Sequence, residues 1–120
     1  IGTCKDGCDL DTTAKDMIHA YRQIILRAHS QSIRVYGATI TPFGGSFYAT
    51  PGTERARQAV NHWIRTSGSF DAVIDFDAAT RDPDHPSNLS AKVDSGDHLH
   101  PADPGYKMMA DSVDLNLFAN

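Results

Sequence analysis

Asp97 and His100 stand three residues apart in the stretch DSGDHLHPADPGY, Asp94 to Tyr106. A carboxylate and an imidazole at that spacing suit proton transfer. A catalytic imidazole keeps one nitrogen free to take a proton from a nucleophile. Its other nitrogen donates to a carboxylate, which fixes the tautomer and stabilises the imidazolium. A D-x-x-H turn presents both side chains on one side of a tight bend, and Pro101 restricts His100 to extended backbone angles. Two other readings fit the same residues. One is a solvated Asp–His pair that only caps or solubilises. The other is a metal site of Asp97, His98 and His100 with Asp94, since carboxylate and imidazole suit zinc or iron. Neighbours at i, i+1 and i+3 rarely converge on an ion without a further, distant ligand.

A base needs a nucleophile, and the sequence is less generous there. Ser46, Ser67, Ser69, Ser90 and Ser95 are serines by type, yet none lies in a G-x-S-x-G elbow. Ser46, in FGGSF, is the least unsuitable, although a hydroxyl in a Gly-rich turn is ordinarily a turn residue. Gly44 and Gly45 offer N–H groups to an oxyanion, or simply make a flexible loop. Phe43, Phe47 and Tyr48 are candidates to line an acyl or alcohol pocket, or to cover a sheet edge. DFDAATRDPDHP is acidic but lacks the Gly and closing Glu of a calcium loop, so it reads as a solvated turn. His62 and Trp63 lie on a helix, and Trp63 falls on its buried stripe.

The elements that must position these groups emerge from periodicity. Thr12 or Thr13, with Asp16, reads as a helix start. Met17, Tyr21, Ile24, Ile25 and Ala28 form one helical face that fades near Ser30. Ile33 to Ile40 reads as a strand buried on both faces, and Thr41 to Gly52 as the Gly/Pro loop leaving it. A second helix starts near Thr53 with an inner stripe of Ala56, Ala59, Val60, Trp63 and Ile64, and stops near Gly68. Asp71 to Phe76 reads as a second strand. A long Pro/Asp/Ser loop from Arg81 to Pro101 precedes a last helix over 104–118, with Asp103 as its cap, Pro104 at its first position and Tyr106, Met109, Ala110, Val113 and Leu117 on its apolar face. The order helix, strand, helix, strand, helix predicts an α/β layered fold with parallel strands. Two strands alone make a marginal parallel sheet. The pattern is that of part of a larger sheet.

Composition narrows the classes. A chain of 120 residues with 40% hydrophobic residues suits one modest domain, here residues 1–120. A net charge of −4 argues against nucleic-acid or acidic-membrane surfaces, which need clustered Lys and Arg. There is no run of 18 apolar residues to form a transmembrane segment. Cys4 and Cys8 either close a small disulfide loop, which would suit a secreted protein, or are two free thiols. The sequence leaves the compartment open.

DSGDHLHPADPGYKMMADSVDLNLF resembles the last sequence block of the SGNH hydrolases, the GDSL-type esterase and lipase family. That block reads D-x-x-H-P, a short spacer, Gly-Tyr and an amphipathic helix. Here it is Asp97, His98, Leu99, His100, Pro101, then Gly105 and Tyr106. RVYGATITPFGG is similar to a later parallel strand of the family and its loop, and QAVNHWIRTSG with DAVIDFDAATRDP is similar to the elements after that loop. The resemblance covers nearly all of the chain. It implies the C-terminal portion of a flavodoxin-like three-layer parallel sheet. It also implies a Ser-His-Asp triad in which His100 is the base and Asp97 its partner, acting on a small ester substrate without cofactor or metal. His98 falls on an unassigned position and reads as a surface histidine. The family's Gly-Asp-Ser nucleophile block and its G-x-N-D block do not occur here, and Ile1-Gly2-Thr3 resembles the residues directly after the latter. The expectation is therefore a portion that carries the acid–base half. Its sheet would be completed by a complementary N-terminal portion or by a second copy in a homo-oligomer. The alternative is a non-catalytic fragment that only assembles.

Overall fold

The computed structural model describes residues 10–119. The Cys4–Cys8 question lies outside them. Four α-helices, α1 (Leu10–His29), α2 (Pro51–Thr66), α3 (Phe76–Thr80) and α4 (Asp103–Asp111), alternate with two short strands, β1 (Tyr36–Ala38) and β2 (Ala72–Ile74), and a 3-10 turn closes the chain at Leu115–Phe118. The strands pair in parallel, with Tyr36 opposite Ala72, Gly37 opposite Val73 and Ala38 opposite Ile74. The result is a mixed α/β fold with a small parallel sheet, as the alternation of elements predicts.

The core lies between α1 and α2. Ala14, Ala56, Val60 and Ile64 are buried together, and Leu10, Met17, Ile18, Tyr21, Ile40, Trp63 and Phe70 pack around them. Tyr21 stacks on Trp63 with ring centroids 6.3 Å apart, and Phe70 meets both rings edge-on. Trp63 thus belongs to the core, as its place on the stripe predicts.

Several expected boundaries move, each for a local reason. Helix α1 begins at Leu10, so Thr12 and Thr13 lie inside it rather than capping it. Helix α2 begins at Pro51. Its cap is Thr50, whose hydroxyl accepts the Thr53 N–H while the Thr53 hydroxyl accepts the Thr50 N–H. Gly68, with φ +64°, comes after the last turn as the expected stop. On α2 the stripe is partly polar: Ala59 is exposed, whereas Arg57 and Asn61 are fully buried. Asn61 acts as a surrogate strand, with its side chain accepting the Ile40 N–H at 2.7 Å and donating to the Ile40 carbonyl at 2.8 Å.

The strands are shorter than expected, and their faces are not doubly covered. Val73 is 39% exposed and Ile24 of α1 is 57% exposed, since no further strand packs there among the described residues. The residues after β2 turn at once into α3. Asp75 caps that helix by accepting the Ala78 N–H, so DFDAAT is structured rather than a solvated turn. The final helix ends at Asp111 instead of Phe118. The Ser112 hydroxyl bonds back to the Met109 carbonyl, and Asp114 starts the separate 3-10 turn. Asp103 is the first residue of α4 and not its cap; Ala102 holds that position without a side-chain bond.

Candidate active site

The turn from Asp94 to Pro101 is built before it is functional. Val93, fully buried, fixes its start. An antiparallel bridge pairs Asp94 with Pro101, and the Ser95 N–H donates to the His100 carbonyl at 3.0 Å. The Ala102 N–H donates to the Val93 carbonyl at 2.6 Å. Helix α4 presses onto this base through Gly105. A Cβ there would lie 2.8 Å from Val93 Cγ1, 2.9 Å from Pro101 Cβ and 2.9 Å from the Val93 carbonyl oxygen. Only a residue without a side chain allows that approach, which accounts for the glycine of the Gly-Tyr pair.

Within the turn, Asp97 and His100 meet as their spacing predicts. His100 Nδ1 lies 2.6 Å from Asp97 Oδ2. The other oxygen, Oδ1, accepts the N–H groups of Leu99 at 2.9 Å and His100 at 2.8 Å, and the Ser95 hydroxyl at 3.1 Å. The imidazole, and after it these N–H donors, holds the Asp97 carboxyl far below the usual carboxylate range. An ionised Asp97 accepts the proton on Nδ1, which assigns the lone pair to Nε2. The imidazole is 65% exposed to solvent.

A second pair, overlooked in the sequence, is threaded through the first. His98 Nδ1 lies 2.6 Å from Asp94 Oδ2, and Asp94 Oδ1 accepts the N–H groups of Gly96 and His98, both at 2.9 Å. Burial opposes charge on Asp94, but these donors outweigh it and its carboxyl lies below the usual range. The four groups of the alternative metal reading are therefore divided into two separate Asp–His pairs. Among the described residues no three His, Cys, Asp or Glu converge as they would around an ion.

No candidate nucleophile engages the imidazole among the described residues. The Ser95 hydroxyl is committed to Asp97 and not to the imidazole. Ser46 is buried, its hydroxyl without a hydrogen-bond partner among the described residues. None of the hydrogen bonds among the described residues joins a serine hydroxyl to His100. The Gly44 N–H donates to the Ser87 carbonyl at 2.7 Å, so it is already engaged. Phe43 is buried beside a cleft of about 350 Å³ that Gly44, Gly45, Thr50, Glu54 and Asn88 also line. Phe47 is 81% exposed and meets the Tyr48 ring at a tilt of 37°, with ring centroids 3.9 Å apart.

The wall of that cleft rests on a buried ionic network. Arg57 bonds both oxygens of Glu54 at 2.8 Å, Asp77 Oδ1 at 2.6 Å and the Ile40 carbonyl at 3.1 Å. Arg65 bonds both oxygens of Asp75, at 2.7 and 2.8 Å, and reaches Asp77 Oδ2. Burial works against the Arg57 charge, but Glu54 and Asp77 more than offset it and its pKa is raised.

The chain matches the model of the GDSL-like Lipase/Acylhydrolase family over residues 4–108. No curated protein matches it. Among the described residues no helix is long and apolar enough to cross a membrane.

Proposed function

The chain belongs to the GDSL-like lipase/acylhydrolase family, and we propose that within it the 94–101 turn is the acid–base half of a serine carboxylester hydrolase. His100 takes the proton of a serine hydroxyl on Nε2 and returns it to the leaving alkoxide, while Asp97 holds the ring and stabilises the imidazolium. The carrying observation is the 2.6 Å contact between His100 Nδ1 and Asp97 Oδ2, on a ring open to solvent. The substrate class is a carboxylic ester.

The attacking hydroxyl and the oxyanion donors are carried by a complementary portion outside this sequence, and that portion or a second copy completes the sheet. Residues 1–120 then form one partial domain. Two observations support this. No serine hydroxyl among the described residues bonds to the His100 ring. Beside β1, a groove of about 270 Å³ lined by Tyr21, Ile24, Ile25, Tyr36 and Phe70 leaves apolar surface open. The same groove favours a second reading, in which the chain only assembles and turns over nothing.

A fluorophosphonate probe and p-nitrophenyl acetate test the reading. The chain alone is expected to leave all its serines unlabelled, which mass spectrometry of the peptides reads directly; a labelled Ser46 or Ser95 contradicts the proposed origin of the nucleophile. In an assembly that hydrolyses the ester, His100→Ala is expected to lower kcat/KM by about 10³-fold or more. Full activity in that variant leaves only the assembly reading.

A further inference from the structure

His98 is the one histidine in the turn that the catalytic scheme leaves unused, and it holds an uncommon conformation. Its φ is +61°, in the left-handed region that few non-glycine residues adopt. Its ring rests on Gly45, in the loop after β1. A Cβ on Gly45 would lie 3.2 Å from His98 Cγ and 3.3 Å from Cδ2, and Gly45 itself has φ +86°. Two left-handed residues from distant parts of the chain are thus in contact. On its other side the imidazole is tied to Asp94 at 2.6 Å. A strained residue persists only where its surroundings over-determine it, and such residues gather at functional sites.

The consequence falls on His100. The left-handed step at His98 reverses the chain so that Leu99 and His100 return with both N–H groups on Asp97 Oδ1. The Asp94–His98 pair spans i to i+4 and encloses Asp97, so it holds the tip from which the second pair is presented.

We propose that His98 is a positioning residue: clamped between Asp94 and Gly45, it holds the tip of the 94–101 turn so that Asp97 keeps His100 in its Nδ1–H form, and it couples that turn to the loop lining the cleft. The functional meaning rests on the assignment of His100 as the base. The physical link between His98 and His100 does not, and it is measured separately.

The test is NMR on the 120-residue chain. Long-range ring ¹H–¹⁵N correlations in alkaline buffer give the ratio of Nδ1–H to Nε2–H tautomers of His100. Amide exchange of Leu99 and His100 reads the two bonds to Asp97. Circular dichroism confirms the fold of each variant. His98→Gly relieves the backbone strain and keeps the fold, yet it is expected to lower the tautomer ratio and speed both exchanges by about tenfold, the size of one lost charge-assisted hydrogen bond. His98→Asn accepts the left-handed conformation and retains an N–H donor for Asp94, and is expected to recover most of the loss. Gly45→Ala pushes on the ring from the far side of the chain and is expected to move the same readouts in the same direction. An unchanged ratio and unchanged exchange in folded His98→Gly overturn the proposal. Should His98→Gly fail to fold, Asp94→Asn decides by the same criterion. If hydrolysis proves independent of His100 while these couplings hold, the catalytic assignment fails and the positioning does not. If ester hydrolysis depends on His98 with the His100 tautomer unmoved, His98 acts directly and the proposal is wrong.

Discussion

Arg57→Met removes a guanidinium that is fully buried and leaves an aliphatic stem of similar reach. Four protein groups lose their partner at once: Glu54, Asp77, and the carbonyls of Ile40 and Pro86. Removing one member of a buried ion pair destabilises by about 3–5 kcal/mol, because the remaining charge is stranded. Here the loss is cushioned. Asp77 Oδ2 keeps Arg65, the Ile40 carbonyl keeps Asn61, and Glu54 keeps Gln58 and part of its solvent. The lower end, about 3 kcal/mol, is therefore expected. Unfolding entropy of ~2.1 cal/mol/K per residue gives roughly 0.25 kcal/mol/K for 120 residues. The melting temperature should fall by about 12 °C, read by far-UV circular dichroism. A companion variant sharpens the argument. In Arg57→Met/Asp77→Asn the stranded charge is gone, so the double variant should lose less than the sum of the single losses, by about 1 kcal/mol or more. A drop of under ~3 °C in Arg57→Met, or strict additivity in the double variant, would refute the idea that this network holds the cleft wall.

Gly105→Ala is expected to destabilise by about 1–2 kcal/mol. Overpacking against Val93 and Pro101 costs about 1–3 kcal/mol, offset by roughly 0.5–1 kcal/mol of helix propensity; a variant as stable as the parent in urea unfolding contradicts the close approach of α4 to the turn. Asp75 supplies a pH dependence. The Arg65 guanidinium, ahead of the Ala78 N–H and the Thr39 hydroxyl, lowers its carboxyl from 3.8 to about 2. A pKa depressed in the folded state adds stability that is present above about pH 4 and lost as pH falls through about 2. The gap corresponds to about 2.4 kcal/mol at ~1.36 per pH unit, and the 37% exposure of the carboxylate reduces it to about 1 kcal/mol. Urea titrations of the parent and of Asp75→Asn should converge by that amount between about pH 4 and pH 2, and parallel curves would show that the Arg65 pair carries no linkage.

What the sequence showed and what it concealed divide along a physical line. The Asp97–His100 pair was legible because both partners lie within one short turn, and local geometry brings i and i+3 together whatever the rest of the chain does. The stripe of Ala56, Val60, Trp63 and Ile64 was legible because helical periodicity is local too. Arg57 and Asn61 were hidden. Each sits on the inner face by spacing, but a charged or amide side chain there reads as an interruption until its distant partners, Asp77 and Ile40, are known. The one local hint was Glu54, three residues before Arg57. His98 was hidden for the same reason: Asp94 is close in sequence, yet only the left-handed backbone and the contact with Gly45 distinguish it from an ordinary surface histidine. Helix α3 was missed although its signal was present, since Asp75 before FDAAT is an N-cap three residues ahead of the amide it accepts.

The short sheet and the exposed side chains of α1 are two views of one condition. A parallel pair of three-residue strands satisfies only a few backbone groups and buries little. It is reinforced here by groups outside the two strands. The Asn61 amide completes the pairing of Ile40, the Thr39 N–H extends the ladder to the Ile74 carbonyl, and Asp71 accepts the Val35 N–H at 2.7 Å. Each substitute lies toward β2 or α2. In the groove beside β1 Ile24 remains 57% exposed, and elsewhere on the surface Leu26 and Ile33 are 63% and 58% exposed. Stabilisation is thus concentrated on the side that carries the Arg57 network and the cleft. That asymmetry leaves the apolar surface beside β1 open while Val35, Thr39 and Ile40 are held from the β2 and α2 side.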